Sequence, residues 1–186
     1  SSETTMVHII GSGISGTLES LPLSTLSILS NADVVLYDSL SLPLQELKKI
    51  ATSHCILESV EKRGGKRSAS MKQADIDQLL LKYANNPLYD NIVRLKGGDP
   101  MLFGRTQTEV DTLSSIQQQN QQDDNPNDDN SNHNLKYQII PGLSSCIAGP
   151  HYAGIPLTDP KLNCQSFAIY SGTNPFGIGI GSTNDE

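Results

Sequence analysis

The chain has 186 residues, 36% of them hydrophobic and 15 of them glycine, which is enough for one full domain or one and a half small ones. A formal net charge of −7 without a broad basic field argues against nucleic acid as a partner. No apolar run approaches the roughly 20 residues of a membrane span, and the polar start Ser1–Thr5 lacks the apolar stretch of a signal peptide. Cys55, Cys146 and Cys164 have no metal-ligand spacing; they read as small core residues or free thiols of a soluble protein in a reducing intracellular compartment, with cytoplasm and plastid both open.

Val7–Ile10 is a strand that runs into the glycine loop Gly11-Ser12-Gly13-Ile14-Ser15-Gly16. A helix follows, capped near Ser20 or Leu21, with Pro22 in its first turn and a stripe from Leu23, Leu26, Ile28 and Leu29. Ala32–Tyr37 is a continuous apolar run of strand length, as in a strand buried on both faces, and Asp38 stands at its carboxyl end. Leu44–Ile50 reads as a helix and Cys55–Leu57 as a third strand. Lys62, Arg63, Lys66, Arg67 and Lys72 then form a basic cluster beside Glu61, either a solvated loop or a clamp for an anionic ligand. Asp75–Ala84 is helical in pattern, Ile92–Leu95 is a fourth strand, and Thr108–Ile116 is a helix.

Residues 117–134 (QQQNQQDDNPNDDNSNHN) have no apolar side chain, hold four of the acids, and are expected to be disordered. Tyr137–Ile140 is a strand leading into Pro141–Thr158, Gln165–Tyr170 is a last strand, and the tail from Gly172 is expected to fray. His133 and His151 have no metal-spaced partner and read as surface residues, so no metal site is expected. Strands alternating with helices predict an α/β fold with a mainly parallel, doubly wound sheet.

Two glycine loops compete for a ligand. GSGISG fits the dinucleotide fingerprint, which points to a Rossmann-type NAD-binding oxidoreductase. Against it, Pro22 would fall within the Rossmann helix at a cost of about 3 kcal/mol. Asp33, at the spacing of a ribose-binding acid, opens a strand rather than ending one, whereas Asp38 ends it. The second loop is Arg94–Arg105, RLKGGDPMLFGR, at the end of the fourth strand. Gly97 and Gly98 permit close backbone approach, Asp99 can accept hydrogen bonds, and Pro100 forces a turn at the end of the sheet where open α/β folds bind ligands.

This twelve-residue run closely resembles the signature of uroporphyrinogen-III C-methyltransferases, within the tetrapyrrole (corrin/porphyrin) methylase family. Further segments are similar to that family: GSGISG, with Ile14 where the family has proline, no following aspartate and one extra residue; ADVVLYD; VEKRGG, with Glu61 in place of glycine; Ser68 with Gln73–Ile76, about two residues further apart than in the family; Pro141–Ser145; and Ala153–Thr158. The resemblance implies a first methylase domain at residues 6–158, with residues 159–186 beginning a second α/β domain that is largely absent, in a fragment or a degenerate paralogue. It also implies S-adenosylmethionine (SAM)-dependent methylation of uroporphyrinogen III to precorrin-2 by a homodimer, on the route to sirohaem and corrinoids, or a non-catalytic remnant of that enzyme. By the same resemblance Asp38 is the proton acceptor and Lys62 the proton donor. Gly11, Gly13, Ile14, Gly97, Gly98, Asp99, Leu102, Ser144 and Ser145 would hold SAM, and Arg63, Lys66, Arg67 and Arg105 would meet the carboxylates of the tetrapyrrole.

Overall fold

The computed structural model of the chain describes residues 4–60, 71–122 and 134–171. The basic loop with Lys62, Arg63, Lys66, Arg67 and Ser68, the insert at 123–133 with His133, and the tail from Gly172 lie outside the described residues.

The chain divides into two compact units, Ser1–Ser145 and Cys146–Glu186. The first is an α/β unit. Its strands are β1 (Thr4–Gly11), β2 (Val34–Tyr37), β3 (Ile56–Ser59), β4 (Asn91–Lys96) and β5 (Asn134–Ile140). They form one five-stranded sheet in the order β3-β2-β4-β1-β5, parallel throughout. The helices are α1 (Leu23–Ser30), α2 (Leu44–Ile50), α3 (Gln73–Ala84) and α4 (Thr106–Gln122).

Alternation along the strands sorts the core into two layers. Val7, Ile9, Val34, Leu36 and Ile92 pack with Ile76 and Leu80 of α3 and Leu113 of α4. Ile10, Val35, Val93 and Leu95 pack on the other face with Leu29 of α1 and Leu47 of α2. The inner strand β2 is covered on both sides, which is why ADVVLY reads as one unbroken run, whereas the edge strand β5 exposes Lys136 and Gln138. The loops after β1 and β2 therefore leave toward one face and the loop after β4 toward the other, opening a crevice at the carboxyl ends of the strands.

Three expectations are corrected. Pro22 is the N-cap of α1 rather than part of its first turn, and a single 3-10 turn, Leu18–Ser20, precedes it. The polar run expected to be disordered is helical at its start, since α4 continues to Gln122, and its last residue, Asn134, opens β5. Glutamine is a good helix former, so lack of apolar content does not stop a helix already anchored on Leu113. The Gln117 side chain also donates to the Leu135 carbonyl at 2.9 Å. Finally, Gln165–Tyr170 forms no strand. A strand needs a neighbour to take its backbone groups, and no described residue supplies one.

The second unit holds most of α5 (Ser145–Tyr152) and a 3-10 turn at Pro160–Leu162. In that turn the Asp159 carboxylate accepts from the Lys161 N–H at 2.8 Å. Asp159 and Cys164 form an isolated antiparallel bridge around Asn163, which is left-handed at φ 54°.

Candidate functional site

A cleft of about 760 Å³ lies at the carboxyl ends of the sheet, and all five strands contribute to it. Gly13 and Ile14 follow β1, Asp38 and Leu40 follow β2, Val60 follows β3, Gly97–Asp99 follow β4, and Ser144–Ser145 follow β5. Its volume falls in the range of roughly 300–1,000 Å³ typical of small-molecule sites.

Glycines let the loops meet. Gly13 and Gly98 exchange backbone hydrogen bonds, N–H to carbonyl, at 3.1 and 2.8 Å, clasping the loops after β1 and β4. Gly98 does so at φ +62°, a conformation open to glycine at little cost. Gly11 sits behind this clasp: a Cβ there would lie 2.5 Å from the Gly98 carbonyl oxygen and 2.7 Å from the Gly142 nitrogen. A Cβ on Gly142 would run into the same Gly98 oxygen. Asp99 draws the loop after β5 into the assembly. One carboxylate oxygen accepts the Gly142 N–H at 3.1 Å and the other the Met101 N–H at 2.8 Å.

The floor of the cleft carries charge. Asp38 follows β2 in a turn closed by Ser41, whose hydroxyl donates to the Asp38 carbonyl at 2.7 Å. Asp38 Oδ2 lies 3.7 Å from Arg94 Nη2, and Oδ1 is buried with no hydrogen-bond partner among the described residues. Arg94 Nε and Lys96 Nζ each donate at 2.9 Å to the carboxylate of Glu109, which is fully buried. Burial lowers the pKa of Lys96, and neighbouring Arg94 adds to that, against the opposing pull of Glu109. The wall after β4 is backbone under strain: Phe103 and Arg105 hold φ of 59° and 52° around Gly104, whose missing Cβ makes room for the Pro100 carbonyl.

A profile of the tetrapyrrole (corrin/porphyrin) methylases matches residues 6–119, more than half of the chain. The chain belongs to this family. It is 34% identical over 172 residues to the uroporphyrinogen-III C-methyltransferase of Synechococcus elongatus, covering 92% of this chain and 60% of that protein. Against the uroporphyrinogen-III C-methyltransferase of Methanocaldococcus jannaschii it is 36% identical over 169 residues, covering 91% and 60%. Among solved structures, the uroporphyrin-III C-methyl transferase of Thermus thermophilus complexed with S-adenyl homocysteine aligns with a TM-score of 0.57 at 33% identity, over 82% of this chain and 53% of that one. The chain thus spans about 60% of the length of the two curated relatives.

In this methylase-family chain, Asp38, Gly13, Ile14, Gly97, Gly98, Asp99, Leu102, Ser144, Ser145 and Arg105 come together around one cleft, though they span most of the first unit. Gly11 does not line it and serves the packing behind it. Lys62, Arg63, Lys66 and Arg67 lie outside the described residues. Asp33, the ribose acid of the NAD reading, sits at the opposite end of the sheet, where its Oδ2 accepts the N–H groups of Asp90 and Asn91 at 2.9 Å. That geometry removes Asp33 as a ribose-binding acid.

Arg94, Lys96 and Glu109 form a buried charge cluster that the motifs alone do not single out. Their signal was two cations at i and i+2 on a strand otherwise buried, which demands a buried counter-charge on the covering helix. Among the described residues no group of three or more His, Cys, Asp or Glu could hold a metal, no helix is long and apolar enough to cross a membrane, and His151 is exposed. The cysteines form no disulfide and none is fully buried; the Cys55 thiol is pushed up to about 11 by burial and by the Asp33 charge. Cys55 is half-buried against the α1–α2 core layer, Cys146 is half-buried and Cys164 is exposed.

Proposed function

We propose that the chain binds S-adenosylmethionine in this cleft and carries the first-domain machinery for C-methylation of uroporphyrinogen III to precorrin-2. The observation that carries the reading is that Asp38 stands in the same cleft as the Gly97–Asp99 loop, with a buried oxygen, Oδ1, that lacks a partner among the described residues. The residues present fit such a ligand. Leu40, Leu102 and Phe103 give apolar wall, Ser144 and Ser145 give hydroxyls, and the loop backbones are closely apposed because Gly11, Gly98 and Gly142 lack side chains.

When bound, SAM would supply an electrophilic methyl on a sulfonium. The chain's part is to align it with an electron-rich pyrrole carbon and to remove the proton lost afterwards. Asp38 accepts that proton, with Lys62 as donor. Gly13, Ile14, Gly97, Gly98, Asp99, Leu102, Ser144 and Ser145 hold SAM; Gly11 acts from behind by permitting the loops to close. Asp99 orders the loops that frame the ligand through its two backbone bonds. Arg105, exposed at the cleft mouth, receives a substrate carboxylate by charge-assisted hydrogen bonds, as do Arg63, Lys66 and Arg67. The domain implied at 6–158, the homodimer and an intracellular, reducing location belong to this proposal.

The 186-residue chain, incubated with methyl-labelled SAM and uroporphyrinogen III, should yield a doubly methylated tetrapyrrole, and the Asp38→Asn variant should not. A parent chain that transfers no label sinks the proposal.

A further inference from the structure

Arg94 and Lys96 leave the same face of β4 and meet Glu109, in the first turn of α4, inside the core. A guanidinium beside a carboxylate ordinarily closes on it with two parallel N–H groups. Either edge that faces Asp38 needs Nη2 together with Nε or Nη1. Both edges are already half used. Nε is held by Glu109 at 2.9 Å, and Nη1 donates to the Leu95 carbonyl at 2.9 Å and the Leu36 carbonyl at 3.4 Å. What remains is a single Nη2 standing 3.7 Å from Asp38 Oδ2, beyond hydrogen-bond range, while Oδ1 has no partner among the described residues. Lys96 holds the second oxygen of Glu109, so the carboxylate cannot swing away from Arg94 without leaving a buried ammonium unpaired.

We infer that Glu109 is a positioning residue for the proposed methyl transfer: it holds Arg94 back from a closed pair with Asp38, and so leaves the partly exposed Asp38 carboxylate free to take the substrate proton. The inference rests on the proposed role of Asp38. The four groups, two acids and two bases, are balanced in charge, and Glu109 is the member that touches both cations.

The test uses the full chain in two variants. Glu109→Gln keeps an acceptor for Arg94 Nε but removes the charge, and it risks unfolding by leaving two buried cations. Glu109→Leu with Lys96→Met removes one charge of each sign, so the balance is preserved and a folded protein is expected, and it also removes the acceptor that holds Arg94 Nε. In the double variant kcat should fall about 100-fold, as for a reacting group displaced by about 1 Å, while KM for SAM changes less than about 2-fold, the pattern of an interaction needed only after binding. In its crystal structure Arg94 should close on Asp38 to about 2.8 Å. A folded variant with parental kcat, or with Arg94 still 3.7 Å from Asp38, overturns the inference. If the parent itself transfers no methyl, the proposed function fails, and the Arg94–Asp38 separation in the variant still decides whether Glu109 restrains the guanidinium.

Discussion

Three glycines set how closely the loops of the cleft approach one another. Gly142 is the sharpest case, because a Cβ there meets both the Gly98 carbonyl and the Gly11 backbone. Neither is the end of a flexible side chain, so the backbone itself must move. Gly142→Ala should destabilise the chain by about 1–3 kcal/mol, the usual cost of overpacking, and weaken SAM-site binding at the same time. Chemical denaturation beside a binding titration checks this; an alanine variant with parental stability would show that the loops can part without cost. Asp99 teaches a related lesson at this scale. Its type and place suggested a ligand acceptor, yet both of its oxygens bind loop N–H groups, one of them 43 residues away. A motif marks that an acid is needed and leaves open whether ligand or backbone is its partner.

Among elements, strands and helices in the first unit were legible because each carries its own periodicity. Leu44–Ile50 is a helix over the whole predicted range, and the buried strands announce themselves as short apolar runs. What was not legible depends on pairing. Gln165–Tyr170 has strand composition but no neighbour, and the glutamines after Ile116 look unstructured until α4 is seen to carry them onward. The Arg94–Glu109 pair joins a strand face to a helix face; the cations of β4 call for a counter-charge, but nothing local says which helix residue supplies it.

β1 also carries a titratable group inside the sheet. His8 is buried, with its Nδ1 2.6 Å from Gln138 Nε2 on β5. Burial lowers its pKa below the ordinary 6.5, outweighing a hydrogen bond with Asn91 that raises it. The unfolded chain therefore binds a proton at higher pH than the folded one. Stability is full above 6.5 and declines as pH falls through and below that value. The thermal midpoint should drop on acidification from neutral pH, and less so in His8→Gln; equal pH dependence in the two proteins would contradict this reading of His8.

At the scale of the whole molecule, five parallel strands end at one cleft, and the residues gathered there are drawn from loops after each of them. The family and the sheet follow from apolar periodicity and from RLKGGDPMLFGR; the cleft follows from the order β3-β2-β4-β1-β5, which no single segment encodes. The central claim is that this cleft is a SAM site. Isothermal titration of S-adenosylhomocysteine, and separately of NAD, into the 186-residue chain tests it most directly. The account predicts saturable one-site binding of S-adenosylhomocysteine and none of NAD; heat from NAD alone, or from neither ligand, would contradict it.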